Sequence, residues 1–167
     1  MGVASFFQER VIFGKNIPAP VNALLQEAAG NTDNFAQAEK LLLQAQAIDP
    51  QQLPVYTALY KLYFYNGHTS KAEDAVFQSL HQAAKQGGFH YDWTALEAQA
   101  EWSDPDSAGR AYLYSLKALA FIRLRQGDNQ GAQDILATLQ RLDPADVVGA
   151  DVIRALAESM AEEWGNG

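Results

Sequence analysis

A short pattern of residues recurs along the chain and limits its fold more than any other feature. The pattern is an alanine, a leucine one helical turn later and then an Asp-Pro pair. Two copies share identical spacing: Ala38, Leu42 and Asp49-Pro50, then Ala132, Leu136 and Asp143-Pro144. Residues one turn apart lie on one helix face, and the residue before a proline is disfavoured in a helix. Each copy therefore predicts an amphipathic helix that ends at the Asp-Pro pair, as one unit of a repeating helical protein.

A helical hairpin over residues 53–84 lies between the two copies. Its first half places a run of apolar residues on one helix face, namely Tyr56, Leu59, Tyr60 and Tyr63. Its second half repeats the small-then-large pattern with Ala72 and Val76. Gly67 lies between the halves, where the first helix must end before the chain reverses. Neither helix can bury its apolar stripe alone, so the hairpin must pack against neighbouring helices.

Helical periodicity extends over most of the remaining chain, so the sequence predicts an all-α fold. The other predicted helices span residues 5–13, 20–29, 34–48, 93–101, 106–126, 130–142 and 146–163. The Asp104-Pro105 pair has the cap-then-proline form of a helix N-terminus and is expected to start the helix over 106–126. The last helix has an apolar stripe formed by Val152, Leu156, Met160 and Trp164.

These features resemble the tetratricopeptide repeat family, whose helix-turn-helix unit spans about 34 residues. The family's first helix has an aromatic, then Leu-Gly, then Tyr, which Tyr56, Leu59, Tyr60 and Tyr63 resemble. The resemblance implies a right-handed α-solenoid of about three helix-turn-helix repeats, with a C-terminal capping helix and an insert between repeats two and three. The expected order in this single domain is an N-terminal segment (1–19), repeat 1 (20–52), repeat 2 (53–86), the insert (87–112), repeat 3 (113–145) and the capping helix (146–167).

Composition and motifs exclude several classes of function. The formal net charge is -8 and the sequence pI is about 4.7, so the chain lacks the basic surface that nucleic acid or anionic lipid requires. It has no Cys, and its histidines lack the spacing of metal ligands. It has no phosphate loop, nucleophile elbow, secretory signal or membrane-spanning stretch. We therefore expect a cytoplasmic, non-catalytic protein without a metal or cofactor.

The resemblance also implies where a partner would bind. In the family, the first helix of each repeat lines a concave groove. The residues that correspond here are Thr57, Lys61, Phe64 and Tyr65 in the second repeat, and Tyr114, Lys117, Phe121, Leu124 and Arg125 in the third. Cations beside aromatic residues on an acidic protein favour a protein or peptide with an acidic segment or a free C-terminal carboxylate. The expected function is a protein-interaction module, such as a scaffold or adaptor.

The insert is the second candidate site, because it is dense in aromatic residues. These residues are Phe89, Tyr91, Trp93 and Trp102. Exposed aromatic residues anchor interfaces, whereas buried ones would only close a core over the junction between repeats. An alternative function is therefore a small-ligand-binding protein or an enzyme that uses residues 87–104. Another alternative is a homo-oligomeric structural subunit that self-associates through the C-terminal helix around Met160 and Trp164.

Overall fold

The computed structural model describes residues 16–165, with side chains described as far as Met160. All regular structure in this part of the chain is helical, which confirms the predicted all-α fold. The α-helices are α1 (Ala19–Ala29), α2 (Phe35–Ile48), α3 (Leu53–Tyr65), α4 (Thr69–Gly87), α5 (Ala108–Arg125), α6 (Asn129–Leu142) and α7 (Asp151–Gly165). Two short 3-10 turns, Trp93–Ala95 and Ala100–Ser103, lie between α4 and α5. The helix predicted at 5–13 lies outside the described residues.

The chain folds as two compact units that divide after Gln78, within α4. The first unit contains α1, α2, α3 and the start of α4. The second contains the rest of α4, the two 3-10 turns, α5, α6 and α7. None of the helices in the described part of the chain is both long enough and apolar enough to cross a membrane.

In the first unit, α2 packs against both α1 and α3. Ala38 of α2 and Ala72 of α4 have no exposed surface, and such small side chains let neighbouring helices approach closely. At the edge of this core, the Lys71 ammonium lies 3.4 Å from the Glu39 carboxylate and 5.6 Å from the centre of the Tyr63 ring. Burial, together with a hydrogen bond to Glu39, raises the pKa of Tyr63 above its ordinary value. This cluster joins α2, α3 and α4.

In the second unit, α6 packs against α5 and α7, and α5 also contacts α7. Ala132 of α6 is fully buried, like its counterparts in α2 and α4. A buried polar pair lies between α4 and α5, where the Ser79 and Ser115 hydroxyls are 2.8 Å apart. Ser115 donates in turn to the Ala111 carbonyl at 2.9 Å. Both hydroxyls are therefore satisfied, which removes the cost of burying them.

The turns that end α3 and α5 have the same geometry. Gly67 and Gly127 adopt positive φ angles of 80° and 81°, a region that glycine enters without steric cost. In both turns, the N–H after the glycine donates back to a carbonyl in the last helical turn. The two bonds are His68 N to Tyr63 O at 2.8 Å and Asp128 N to Arg123 O at 2.9 Å. This is the Schellman arrangement, so two separate hairpins of the chain reverse in the same way.

The last helix begins at Asp151, so its predicted start at Asp146 is wrong. The Asp143 carboxylate closes a turn by accepting the backbone N–H groups of Val147 at 3.0 Å and Val148 at 3.1 Å. Asp146 has a φ of 53°, outside the helical region, and its carboxylate accepts the N–H of Asp151 at 3.3 Å. The two carboxylates stabilise a turn where the helical periodicity alone predicts a helix.

The C-terminal helix buries a different face from the one predicted. Ile153 and Ala157 are 9% and 4% exposed, whereas Val152 and Leu156 are 77% and 42% exposed. The turn that precedes α7 was likewise not expected from the sequence. The end of the predicted stripe, the Trp164 side chain, lies outside the described residues.

Two predictions about the segment before α5 are also wrong. Ser107, rather than Asp104, caps α5, because its hydroxyl accepts the N–H of Arg110 at 3.1 Å. Asp104 instead closes a local turn by accepting the N–H of Asp106 at 3.0 Å. The continuous helix predicted over 93–101 is replaced by the two separate 3-10 turns. The range predicted for the insert therefore contains the first turn of α5.

The buried alanine of α6 provides a test of the helix packing. Ala132→Leu should lower the free energy of unfolding by about 1–3 kcal/mol, because the larger side chain forces the helices apart. Ala137→Leu is the matched control, since Ala137 is exposed on the same helix and its replacement should change stability little. Chemical unfolding monitored by circular dichroism measures both. Equal stabilities for the two variants would show that Ala132 does not lie at a close helix contact.

Candidate partner-binding faces

The structure presents aromatic and cationic residues along one face of α3, in the first unit. Thr57, Lys61 and Phe64 are half-buried, and Tyr65 is 48% exposed. The rings of Phe64 and Tyr65 meet edge to face with their centres 5.6 Å apart. Lys61 lies one helical turn before Tyr65, so its cation is on the same side of the helix. We call these four residues the α3 face.

A second face of the same character lies on α5, in the second unit. Tyr114, Lys117 and Phe121 are half-buried and Arg125 is exposed, and helical spacing puts all four on one side of the helix. The Lys117 ammonium lies 4.7 Å from the centre of the Tyr114 ring. It also donates a hydrogen bond of 2.6 Å to the carbonyl of Val148, in the turn before α7. We call Tyr114, Lys117, Phe121 and Arg125 the α5 face.

One residue predicted for this groove lies elsewhere. Leu124 is only 3% exposed, so the prediction that it faces an open groove is wrong. It shares a side of α5 with Leu113 and Ala120, which are also buried. Its neighbour Arg125 is one residue further round the helix and is exposed. Two residues that are adjacent in sequence therefore lie on different sides of α5.

The first 3-10 turn of the insert is held by Arg141 of α6. The guanidinium donates to the Trp93 carbonyl at 3.2 Å and also to the Leu96 carbonyl. A guanidinium can serve two acceptors at once, and the Trp93 carbonyl also accepts the N–H of Leu96 at 3.3 Å. Leu96 is 4% exposed, so this end of the insert is closed onto the core of the second unit.

The second 3-10 turn is held in the same way by Arg110 of α5. Its guanidinium donates to the Trp102 carbonyl at 3.2 Å and to the Ser103 carbonyl at 2.6 Å. The Trp102 indole is 4% exposed and packs directly over Gly109, where any Cβ would overlap the ring. The Phe89 ring lies against the indole with a centroid separation of 5.1 Å.

Tyr91 joins the middle of the insert to α4 and α5. Its ring stacks on His81 of α4 with the centres 3.7 Å apart and the planes 2° from parallel. Its carbonyl accepts a hydrogen bond of 2.5 Å from the Tyr112 hydroxyl. Burial raises the pKa of Tyr112 above its ordinary value, because an ionised phenol would be poorly solvated there.

These contacts support the interpretation that the insert closes the core of the second unit. Trp102 is buried, so the prediction that it forms part of an exposed binding surface is wrong. Phe89, Tyr91 and Trp93 are half-buried. Tyr91 stacks on His81, and Phe89 packs edge to face against Tyr112. Aromatic density in this segment therefore reflects packing around two arginine-held turns.

The histidines and acidic residues near the insert have local structural roles. His90 Nδ1 accepts the N–H of Asp92 at 3.0 Å. The Asp92 carboxylate accepts the Thr94 hydroxyl at 2.7 Å and the Thr94 N–H at 2.9 Å, and these bonds lower the pKa of Asp92. Within the described part of the chain, no group of three or more His, Cys, Asp and Glu side chains is positioned to hold a metal ion.

Sequence reasoning missed the bonds that cations such as Arg110, Arg141 and Lys117 make to backbone carbonyls. Arg141 and Lys117 bind carbonyls far away in sequence, and nothing in a single sequence pairs Arg141 with Leu96 or Lys117 with Val148. The sequence contains one weak indication of how the insert packs, which is Gly109. A glycine in the first turn of a helix, beside an aromatic segment, is compatible with a ring lying on the backbone.

Comparison of the chain with protein-family models, with curated proteins and with solved structures gives no match. Whether the helices form repeats is therefore argued below, as a proposal, from features of this chain alone. The relevant features are the equivalent turns after α3 and α5, and the buried alanines Ala38, Ala72 and Ala132.

The buried indole of the insert gives a second test. Trp102→Ala should lower the free energy of unfolding by about 3–5 kcal/mol, the range for removal of a buried aromatic side chain. Trp93→Ala is the comparison, because its ring is half-buried and its loss should cost less. Denaturant unfolding of both variants measures the difference. A loss at Trp102 no greater than that at Trp93 would contradict the core role of the insert.

Proposed function

We propose that the chain is a non-catalytic protein-interaction module of the tetratricopeptide type. In this proposal α1–α2, α3–α4 and α5–α6 are three helix-turn-helix repeats of a right-handed solenoid, and α7 is the cap. The α3 face and the α5 face are the surfaces that bind a partner. The partner is a peptide, or an extended segment of a protein, with apolar anchors and acidic residues.

The observation that supports the repeat assignment best is the recurrence of one local geometry. Gly67 and Gly127 end the first helices with the same positive φ and the same Schellman bonds. The second helices then place an alanine at the same distance from the preceding cap, and each of these alanines is fully buried. The three residues are Ala38, Ala72 and Ala132. A unit that repeats in this way buries its apolar faces against neighbouring units and leaves its first helices to line a surface.

The chemistry of the two faces supports the proposed partner. Each face has an aromatic ring within one turn of a cation: Tyr65 with Lys61 on α3, and Phe121 with Arg125 on α5. The whole chain has a formal net charge of -8, so cations grouped with partly exposed rings are a local departure from its overall charge. Such a surface attracts acidic segments and suits apolar side chains that insert between the rings.

Lys117 is less suited to test this charge complementarity, because its ammonium also binds the Val148 carbonyl. Changing it would alter the turn before α7 as well as the charge of the face. Arg125 is the better choice, since it is exposed near the end of α5. Exposed charge changes seldom alter the free energy of unfolding by more than about 0.5 kcal/mol.

We expect Arg125→Glu to weaken partner binding mainly by slowing association, with a larger effect at low salt. Tyr65→Ala should instead raise the dissociation rate, because it removes an apolar anchor. The partner would be isolated from the native host with the wild-type chain as bait, and both rates then measured by surface plasmon resonance.

Lys40→Glu is the matched control, because Lys40 is an exposed cation on α2, a second helix of a repeat. It should leave both rates unchanged. The melting curve of each variant should match that of the wild type closely enough to exclude unfolding. Wild-type association by Arg125→Glu, or an equal loss in Lys40→Glu, would contradict binding at the α5 face.

A further inference from the structure

We propose that Lys117 couples the charge environment of the α5 face to the docking of the C-terminal helix. The same ammonium lies over the Tyr114 ring, on the α5 face, and holds the Val148 carbonyl, in the turn before α7. A carboxylate presented at the α5 face would compete for this ammonium and release the turn. The inference concerns α5, α7 and the turn between α6 and α7, and it is tested below without any partner.

The turn before α7 is held at both its N–H and its carbonyl groups. Asp143 accepts the N–H groups of Val147 and Val148, and Lys117 donates to the Val148 carbonyl at 2.6 Å. Val148 is 3% exposed, so a carbonyl that lost Lys117 would have poor access to water. A buried carbonyl without a partner is costly, which makes the Lys117 bond important for the position of the turn.

As far as Met160, where its described side chains end, the C-terminal helix makes few other contacts with the rest of the unit. Ile153 and Ala157 are its buried residues among those with described side chains, and Ala157 is small. Arg154 donates to the Leu136 carbonyl at 3.3 Å and pairs with Asp151. Val152 on the opposite side is 77% exposed. Over residues 151–160 this helix buries little apolar surface, so we expect this part to open locally more easily than the helices of the core.

A carboxylate is a stronger acceptor for an ammonium than a neutral carbonyl, because both groups are charged. An acidic residue of a partner at the α5 face would therefore shift the Lys117 ammonium away from Val148. Linkage makes the effect reciprocal, so undocking of the turn would also strengthen binding of the acidic residue. On this account Lys117 is a positioning residue for α7 as well as a cation of the binding face.

The test places the carboxylate on α5 itself. Phe121 is one helical turn after Lys117, so Phe121→Glu brings a carboxylate within reach of the ammonium, and Phe121→Gln is its uncharged control. Hydrogen exchange of the backbone amides of residues 147–158 reports opening of the turn and of α7. Lys117→Met should raise their exchange rates by about tenfold, the effect of losing one charge-assisted hydrogen bond. Lys117→Arg, which keeps a cation, should restore part of the protection.

The decisive comparison is between Glu and Gln at position 121. Exchange over residues 147–158 should be about threefold to tenfold faster with Phe121→Glu than with Phe121→Gln. In the Lys117→Met background this difference should vanish, which is the coupling that a double-mutant cycle detects. Amides of α6 serve as an internal control and should be unchanged. If both Phe121 variants fail to fold, Tyr114→Glu and Tyr114→Gln provide the same comparison from the preceding turn.

Two results would overturn the proposal. Unchanged exchange in Lys117→Met would show that the lysine does not hold the turn. Faster exchange in Lys117→Met, but equal exchange for the Glu and Gln variants, would show that the bond is structural and insensitive to charge on the α5 face. Neither result bears on whether the α3 and α5 faces bind a peptide, which the Arg125→Glu measurement decides separately.

Discussion

The complete burial of three alanines is the constraint on which the packing of the helices depends most. Ala38, Ala72 and Ala132 have no exposed surface, and each lies one turn before a larger buried side chain. A larger residue at any of them would separate the helices by more than a core can absorb without strain. The helices α3 and α5 each bury one side and leave another side partly exposed, at Tyr65 on α3 and at Arg125 on α5.

In the second unit, charged side chains bind backbone groups of the irregular segments and so hold these segments in place. Arg110 and Arg141 hold the two 3-10 turns of the insert, and Asp143 and Lys117 hold the turn before α7. In each case a charged group binds backbone groups of an irregular segment. The irregular segments can therefore cover the core with these backbone groups hydrogen-bonded.

The sequence was sufficient to predict what depends on local patterns. Helical spacing and Asp-Pro stops predicted an all-α chain, and the small-then-large pairs predicted that Ala132 and Leu136 would be buried. Local patterns could not reveal that Asp143 accepts the N–H groups of Val147 and Val148, nor that α7 buries Ile153 and Ala157 instead of Val152 and Leu156. In the same way, the aromatic density of the insert did not distinguish an exposed Trp102 from a buried one. That distinction depends on Gly109 and Arg110, whose contacts with the ring and its carbonyl form only in the folded unit.

The most direct measurement of the proposed function is site-specific photo-crosslinking in the native host. Benzoylphenylalanine would be placed at Tyr65 on the α3 face and at Arg125 on the α5 face, and at Ala137 on the exposed side of α6 and Leu156 on α7 as comparisons. The account predicts that a protein partner is captured from Tyr65 and Arg125 and not from Ala137 or Leu156. Capture of the partner from Leu156 or Ala137, with none from the α3 and α5 faces, would contradict it.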